Sequence, residues 1–233
     1  IVIDEVQDLT PMQLRMATRR SLNGSMTIVG DIAQATGPLA PSRWAEVLDH
    51  LPERRPSRVI GLSVGYRIPG QIMELANRVM AVATPGLRSP QSVRVGDEPP
   101  RIVRAESPAL LGDTVIGEVR RLAADLPGGS IGVVTPDHLL DELSAQFERA
   151  GVEHGSATMT GLDSGVTLVP VSVVKGLELD AVVVVEPSLV VSGQPHGLRA
   201  LYVALTRATQ RLSVVHAEDL PTAMSDDPVA VAS

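Results

Sequence analysis

The chain has 233 residues, 44% of them hydrophobic and 20% charged, which is enough for one or two domains with a substantial core and too apolar for a disordered protein. Its formal net charge of −7 does not advertise a face given over to nucleic acid, and no apolar run reaches the ~18–20 residues that a membrane span needs. Cysteine is absent, which removes disulfides and thiolate metal sites, and no charged-then-apolar leader opens the chain, so the composition fits a cytoplasmic protein.

In chain order, IVID (1–4) is a short apolar, β-branched run and predicts a strand ending in Asp4-Glu5. PMQLRMATRR (11–20) has helical spacing, with Thr10 placed to cap and Pro11 at the first helical position. MTIVGD (26–31) predicts a second strand, 42–50 a helix capped by Ser42, and SRVIGL (57–62) a further strand. IPGQIMELANRVMA (68–81) repeats its apolar residues at a helical period. The stretch 82–100 carries four prolines and reads as a connector with little regular structure. RIVRA (101–105) then predicts a strand, 108–126 an amphipathic helix, and SIGVVTP (130–136) a strand. Residues 137–151 predict a helix with Gly151 past its end. VTLVPV and AVVVVEP predict strands around the loop that holds Lys175. GLRALYVALTRA (197–208) predicts a helix, QRLSVVHA (210–217) a last strand, and the residues after Leu220 a frayed tail. This alternation predicts an α/β protein with a mostly parallel sheet, whose chemistry is expected at the carboxyl ends of the strands.

Five polar clusters interrupt this pattern. Asp4-Glu5 is either a solvated turn or a pair for metal-assisted phosphoryl transfer, one carboxylate holding Mg²⁺ and the other handling the attacking water. Gln34, in Gly30-Asp31-Ile32-Ala33-Gln34, is a turn residue or a phosphate sensor. Tyr66-Arg67 is a surface pair, or a stacking ring beside an arginine fork for phosphate. Val174-Lys175-Gly176-Leu177-Glu178 is a charged turn or carries a ribose-binding carboxylate. Arg207, at the end of LYVALTRAT, complements a helix dipole or contacts phosphate.

Taken in order, DEVQD, GDIAQ, GYR, VVKGLELD and LYVALTRA resemble motifs II to VI of superfamily 1 helicase-type ATPases of the UvrD/Rep kind, a likeness that runs from residue 1 to about 216. The resemblance implies ATP and Mg²⁺ as cofactors, with Asp4 on the metal, Glu5 as catalytic base and Gln34 as γ-phosphate sensor. It implies that Tyr66 stacks on adenine, Arg67 and Arg207 act as arginine fingers, and Gly176 and Glu178 belong to the nucleotide site, Glu178 on the ribose. It also implies two RecA-like domains. Residues 1–58 are expected to be the carboxyl-terminal part of the first, 59–218 the second, built on a parallel sheet flanked by helices, and 219–233 a frayed tail. The only lysine, Lys175, precedes Gly176, so the chain holds no G-x-x-x-x-G-K-[ST] phosphate loop. It is therefore expected to be a fragment of a longer protein, inactive alone, whose open sheet edge invites artificial association.

The departures fall on the DNA side. Gln34 is followed by Ala35-Thr36-Gly37 and not by an aromatic residue, Pro170 and Ser172 replace the usual Thr and His, and Gly65 replaces an Asn. Aromatic residues make up 2% of the chain, whereas single-strand grooves use aromatic platforms. The segment of about a hundred residues before motif V is too short for the large accessory domain of unwinding enzymes. GSMTIVGDIAQATG followed by Trp44, and the Tyr-Arg-Ile-Pro junction, resemble HelD-like ATPases, which implies RNA polymerase as partner. An ATP-dependent 3′–5′ DNA helicase for repair is the alternative, and a non-hydrolysing protein-binding module derived from such a motor the second alternative.

Overall fold

The computed structural model describes residues 1–51, 57–157 and 165–225. They form two compact units, Ile1–Leu62 and a larger one from Ser63 onward. No helix among the described residues is long and apolar enough to cross a membrane.

In the first unit, β1 (Val2–Ile3) leads through a 3₁₀ turn to α1 (Pro11–Arg20), then to β2 (Thr27–Ile28) and α2 (Trp44–Leu48). β1 and β2 pair in parallel, Val2 with Thr27 and Ile3 with Ile28. α1 starts where its local signals require. Thr10 Oγ1 accepts from the Gln13 N–H, and the Gln13 side chain accepts from the Thr10 N–H, a reciprocal capping box ahead of Pro11. At α2 the expected cap is displaced by one residue. Arg43 is the N-cap, and the Ser42 N–H donates to the Glu46 carboxylate at 2.9 Å.

The second unit runs β3 (Val64–Gly65), α3 (Gly70–Ala83), β4 (Gln91–Ser92), β5 (Arg101–Arg104), α4 (Leu111–Asp125), β6 (Ile131–Thr135), α5 (Leu140–Arg149), β7 (Gly155–Ser156), β8 (Val166–Pro170), β9 (Leu179–Val185), α6 (Pro187–Gly193), α7 (Gly197–Leu205) and β10 (Ala208–His216). Six of these strands form one sheet in the order β5-β10-β9-β6-β8-β7, every pair parallel. Val182 to Val185 are fully buried, as a central parallel strand covered on both faces requires. Ala181, Val183 and Val185 point to a core with Val115, Val119 and Leu122 of α4 and Leu143 and Phe147 of α5. The alternate residues of β9 point to the other face, where α7 packs on β9 and β10 and α3 packs on α7.

Three expectations are corrected. Residues 57–62 are not a strand: Val59, Ile60 and Leu62 are 60%, 67% and 88% exposed, and β-branched residues without a neighbouring strand do not make a ladder. The residues after Leu220 are not frayed as far as Ser225, because Thr222–Met224 form a 3₁₀ turn that buries Ala223 and Met224 against α3. Residues 226–233 lie outside the described residues. Finally, Pro187–Gly193 is a helix that the apolar run into Pro187 did not suggest.

Candidate functional site

The first unit places its candidates at the carboxyl ends of its two paired strands. Asp4 and Glu5 follow β1, and Gly30 and Asp31 follow β2. Glu5 adopts a left-handed backbone, φ 51°, and its N–H donates to Asp4 Oδ1 at 2.9 Å. Its Oε2 accepts from the Gln7 amide. Gln7 is 3% exposed, and its Oε1 accepts from the Asp31 N–H at 3.0 Å. Asp31 in turn accepts from the Ala33 N–H and from Gln34 Nε2, each at 2.9 Å. Glu5 and Gln34 are therefore joined through Gln7 and Asp31, two residues that the motif reading left without a role. The Asx-turn spacing from Asp31 to Ala33 was the available signal for the second. Gly30 leaves them room, since a Cβ there would lie 2.4 Å from Gln7 Oε1 and 2.7 Å from Val6 Cγ1, so that one of these side chains would have to shift.

No cluster of three His, Cys, Asp or Glu occurs among the described residues, so no all-protein metal cage is present there. Exposed Asp4 fits the smaller requirement of Mg²⁺, which takes one or two carboxylates and completes its shell with water and phosphate.

The second unit gathers its candidates around one backbone loop. Arg67 follows β3, and its Nη1 forms an ion pair with Glu178 Oε1. Arg94, next to β4, donates to the Arg67 carbonyl at 2.8 Å and steadies that turn. Glu178 immediately precedes β9, and Arg207 immediately precedes β10, which pairs with β9 in register Ala208 to Leu179. The Leu179 N–H donates to the Arg207 carbonyl at 3.1 Å, and Arg207 Nη1 reaches the Leu177 carbonyl at 3.4 Å. Arg67, Glu178 and Arg207 are thus held together. Gly176 in the same loop has φ +80°, a conformation that favours glycine, with open space around its Cα.

Two placements differ from the sequence reading. Glu178 and Arg207 sit at the amino ends of β9 and β10, not at carboxyl ends, because the chain from Val171 to Glu178 runs back along the sheet before β9 begins. Arg207 is 4% exposed and serves α7 as a cap: Nε donates to the Val203 carbonyl at 3.0 Å and Nη2 to Thr206 Oγ1 at 3.3 Å. Tyr66 is 81% exposed and offers an open ring.

Beneath this loop, Asp180 ties β6, β9 and β10 together. The Ser130 N–H and hydroxyl both donate to Oδ2 at 2.9 Å, and Gln210 donates to Oδ1 at 2.7 Å. These bonds, Ser130's backbone N–H first, hold the Asp180 carboxyl below the usual carboxylate range.

Residues 165–215 match the UvrD-like helicase C-terminal domain. The chain is 26% identical over 162 residues to the ATP-dependent DNA helicases UvrD2 of Mycobacterium tuberculosis H37Rv and Mycobacterium bovis. That match takes in 67% of this chain and 23% of theirs, so the chain spans about a quarter of the length of these curated relatives. The C-terminal domain of a possible DNA helicase from Lactobacillus plantarum WCFS1 superposes with a TM-score of 0.56 at 22% identity, over 71% of this chain and 96% of that one. The protein has the α/β fold of a helicase C-terminal domain, a six-stranded parallel sheet flanked by helices, and its stretch from Gly165 to Val215 is similar in sequence to the UvrD-like form of that domain.

Proposed function

We infer that the chain works within an ATP-driven motor of the UvrD-like superfamily 1 class, and that this motor acts on bacterial RNA polymerase in the manner of HelD-like ATPases, coupling ATP hydrolysis to release or recycling of the polymerase. The observation that carries the motor reading is the meeting of Arg67, Glu178 and Arg207 at one loop, although the sequence separates them widely. In this reading Glu5 takes the proton of the attacking water, and Gln34, held by Asp31, orients that water. Asp4 is the metal ligand; Mg²⁺, when bound, neutralises charge on the phosphates. Arg67 and Arg207 bind phosphate oxygens and stabilise the charge that builds up in transfer. Glu178 accepts from the ribose hydroxyls, the Gly176 backbone gives the nucleotide room, and Tyr66 stacks on the base.

The polymerase reading is supported by what stands where DNA contacts are expected. Ala35, after Gln34, is fully buried and offers no stacking surface, and Pro170 and Ser172 lack the usual side chains. A 3′–5′ DNA helicase is the second reading, favoured by the names of the mycobacterial relatives. ATPase assays on the longer protein containing this chain separate the two. Stimulation by RNA polymerase with indifference to single-stranded DNA is the expected result; strong stimulation by single-stranded DNA alone overturns it in favour of the helicase. The chain by itself, holding no G-x-x-x-x-G-K-[ST] sequence, is expected neither to hydrolyse nor tightly to bind ATP. Magnesium-dependent turnover above a Glu5→Gln control would contradict that.

A further inference from the structure

In the first unit, α1 is packed on one side only. Leu14 is 3% exposed, and Thr18 Oγ1 donates to the His50 carbonyl at 3.2 Å, so that side of the helix is occupied. The opposite side carries Met12, Arg15, Met16, Arg19 and Arg20, at i, i+3, i+4, i+7 and i+8, a spacing that a helix gathers into one stripe. All five residues are exposed, the two methionines at 65% and 58%.

The charge of this stripe runs against that of the chain. There are 27 acidic residues to 20 Lys and Arg overall, yet α1 holds three arginines and no acid. Arg121 of α4, by contrast, meets Glu118 at 3.1 Å and Asp125 at 2.7 Å, and Arg43 ahead of α2 meets Glu46 at 3.5 Å. The guanidinium groups of Arg15, Arg19 and Arg20 have no such partner among the described residues. The helix dipole accounts for Arg19 and Arg20, which lie in the last turn, but not for Arg15 in the middle. Nor does it account for two methionines, side chains that adapt readily to apolar partners, at the centre of an exposed face.

Unpaired positive charge around an apolar centre selects a partner of opposite charge with an apolar strip of its own. A basic partner is repelled. A phosphate backbone would satisfy the arginines but leave the methionines against a polar strand, and the stripe holds no ring on which a base could stack. We propose that this face of α1 docks an acidic amphipathic helix of another protein. The apolar side chains of that helix lie on Met12 and Met16, and its carboxylates meet Arg15, Arg19 and Arg20 in charge-assisted hydrogen bonds. One exposed helix face makes a small contact, so the complex is weak and transient. The surface is independent of the nucleotide chemistry above.

The test is a fluorescence-anisotropy titration of the chain into labelled probes. The first is a helical peptide of about 16 residues with leucines at i, i+3, i+4 and i+7 and glutamates on the flanks. The others are its lysine-flanked counterpart, a version with glutamines for the leucines, and a single-stranded oligonucleotide. The expected result is saturable binding of the first peptide, at least about tenfold tighter than that of the other three and weakening as salt rises. Because the chain carries a net charge of −7, only a local basic site favours glutamate over lysine. Arg15→Gln with Arg19→Gln, and separately Met12→Gln with Met16→Gln, are each expected to weaken the first peptide by about tenfold or more. All four side chains are exposed and glutamine is a good helix former, so the melting temperature is expected to stay unchanged. No saturable binding of the first peptide, equal binding of its glutamine version, or indifference to either double substitution overturns the proposal. Tighter binding of the oligonucleotide, lost with the same arginines, overturns it in favour of nucleic acid. A dimer of the chain that these substitutions dissolve overturns it in favour of a second copy.

Discussion

Arg67 and Glu178 stand 111 positions apart in the sequence and meet as an ion pair, Nη1 against Oε1. Both side chains stay about half exposed, 45% and 56%, so water and salt screen the pair and it contributes about 0.2–1 kcal/mol. Under the proposed function, in which Arg67 engages a phosphate oxygen, a weak partner is an advantage, because little is lost when the guanidinium turns to a new acceptor. Arg67→Ala is therefore expected to shift the melting temperature of the chain by no more than about 4 °C. In the longer protein it is expected to reduce ATP turnover by about 10³-fold or more. Turnover unchanged by the substitution would remove Arg67 from the chemistry.

The link from Glu5 to Gln34 runs through Gln7, which accepts from the Asp31 N–H and donates to Glu5. Gln7→Ala leaves that partly buried N–H without its acceptor, at an expected loss of about 1–3 kcal/mol from the first unit. Gly30→Ala attacks the same contact from the other side, driving a methyl into Gln7 Oε1 and Val6 Cγ1, and is expected to cost about 1–3 kcal/mol. The two changes are coupled. In the Gln7→Ala background the closer clash is gone, so Gly30→Ala there should cost less than in the native chain, and urea unfolding of the four proteins measures the difference. Strict additivity would mean that Gly30 is not selected by Gln7.

How far the sequence announced these features depends on how local each one is. α1 was legible to the residue because Thr10, Pro11 and Gln13 carry their own instructions within one turn. β9 was legible because four successive valines have few other fates than a covered strand. Residues 57–62 have the same chemistry and form no strand, since pairing depends on a neighbour that local pattern cannot name. The motifs located Arg67, Glu178 and Arg207, but not the end of the sheet on which the last two lie, which follows from the direction of the connection into β9. Gln7 went unread because, between Glu5 and Asp8, it looked like part of a solvated turn; its burial depends on β2 arriving alongside.

Asp180 supplies the pH dependence. Its carboxyl is held below its ordinary value near 3.8 by the Ser130 N–H, the Ser130 hydroxyl and Gln210, against the opposing effect of burial. A group whose pKa is lower in the folded state stabilises that state above its unfolded pKa and loses the contribution as pH falls through the folded one. Asp180→Asn should therefore lower the melting temperature at pH 7, and the gap from the native chain should narrow as pH falls below about 4. Melting curves from pH 2 to pH 7 check it. A gap that stays constant down to pH 2 would assign the effect to shape and not to charge.

Arg207 has to be tested for two roles at once. It is 4% exposed, and its guanidinium holds the Val203 and Leu177 carbonyls and the Thr206 hydroxyl, so it closes the end of α7 and fixes the loop that carries Glu178. A lysine keeps the charge but cannot spread donors over acceptors that point in different directions. Arg207→Lys should then cost about 2–4 kcal/mol and lower the melting temperature by about 4–16 °C. Loss of fold alone would cut ATP turnover only in proportion to the unfolded fraction. Assayed well below the variant's melting point, where that fraction is negligible, a purely structural Arg207 predicts near-native turnover in the longer protein. An Arg207 that also meets phosphate predicts a fall of about 10²-fold or more at the same temperature, and this second outcome is the expected one.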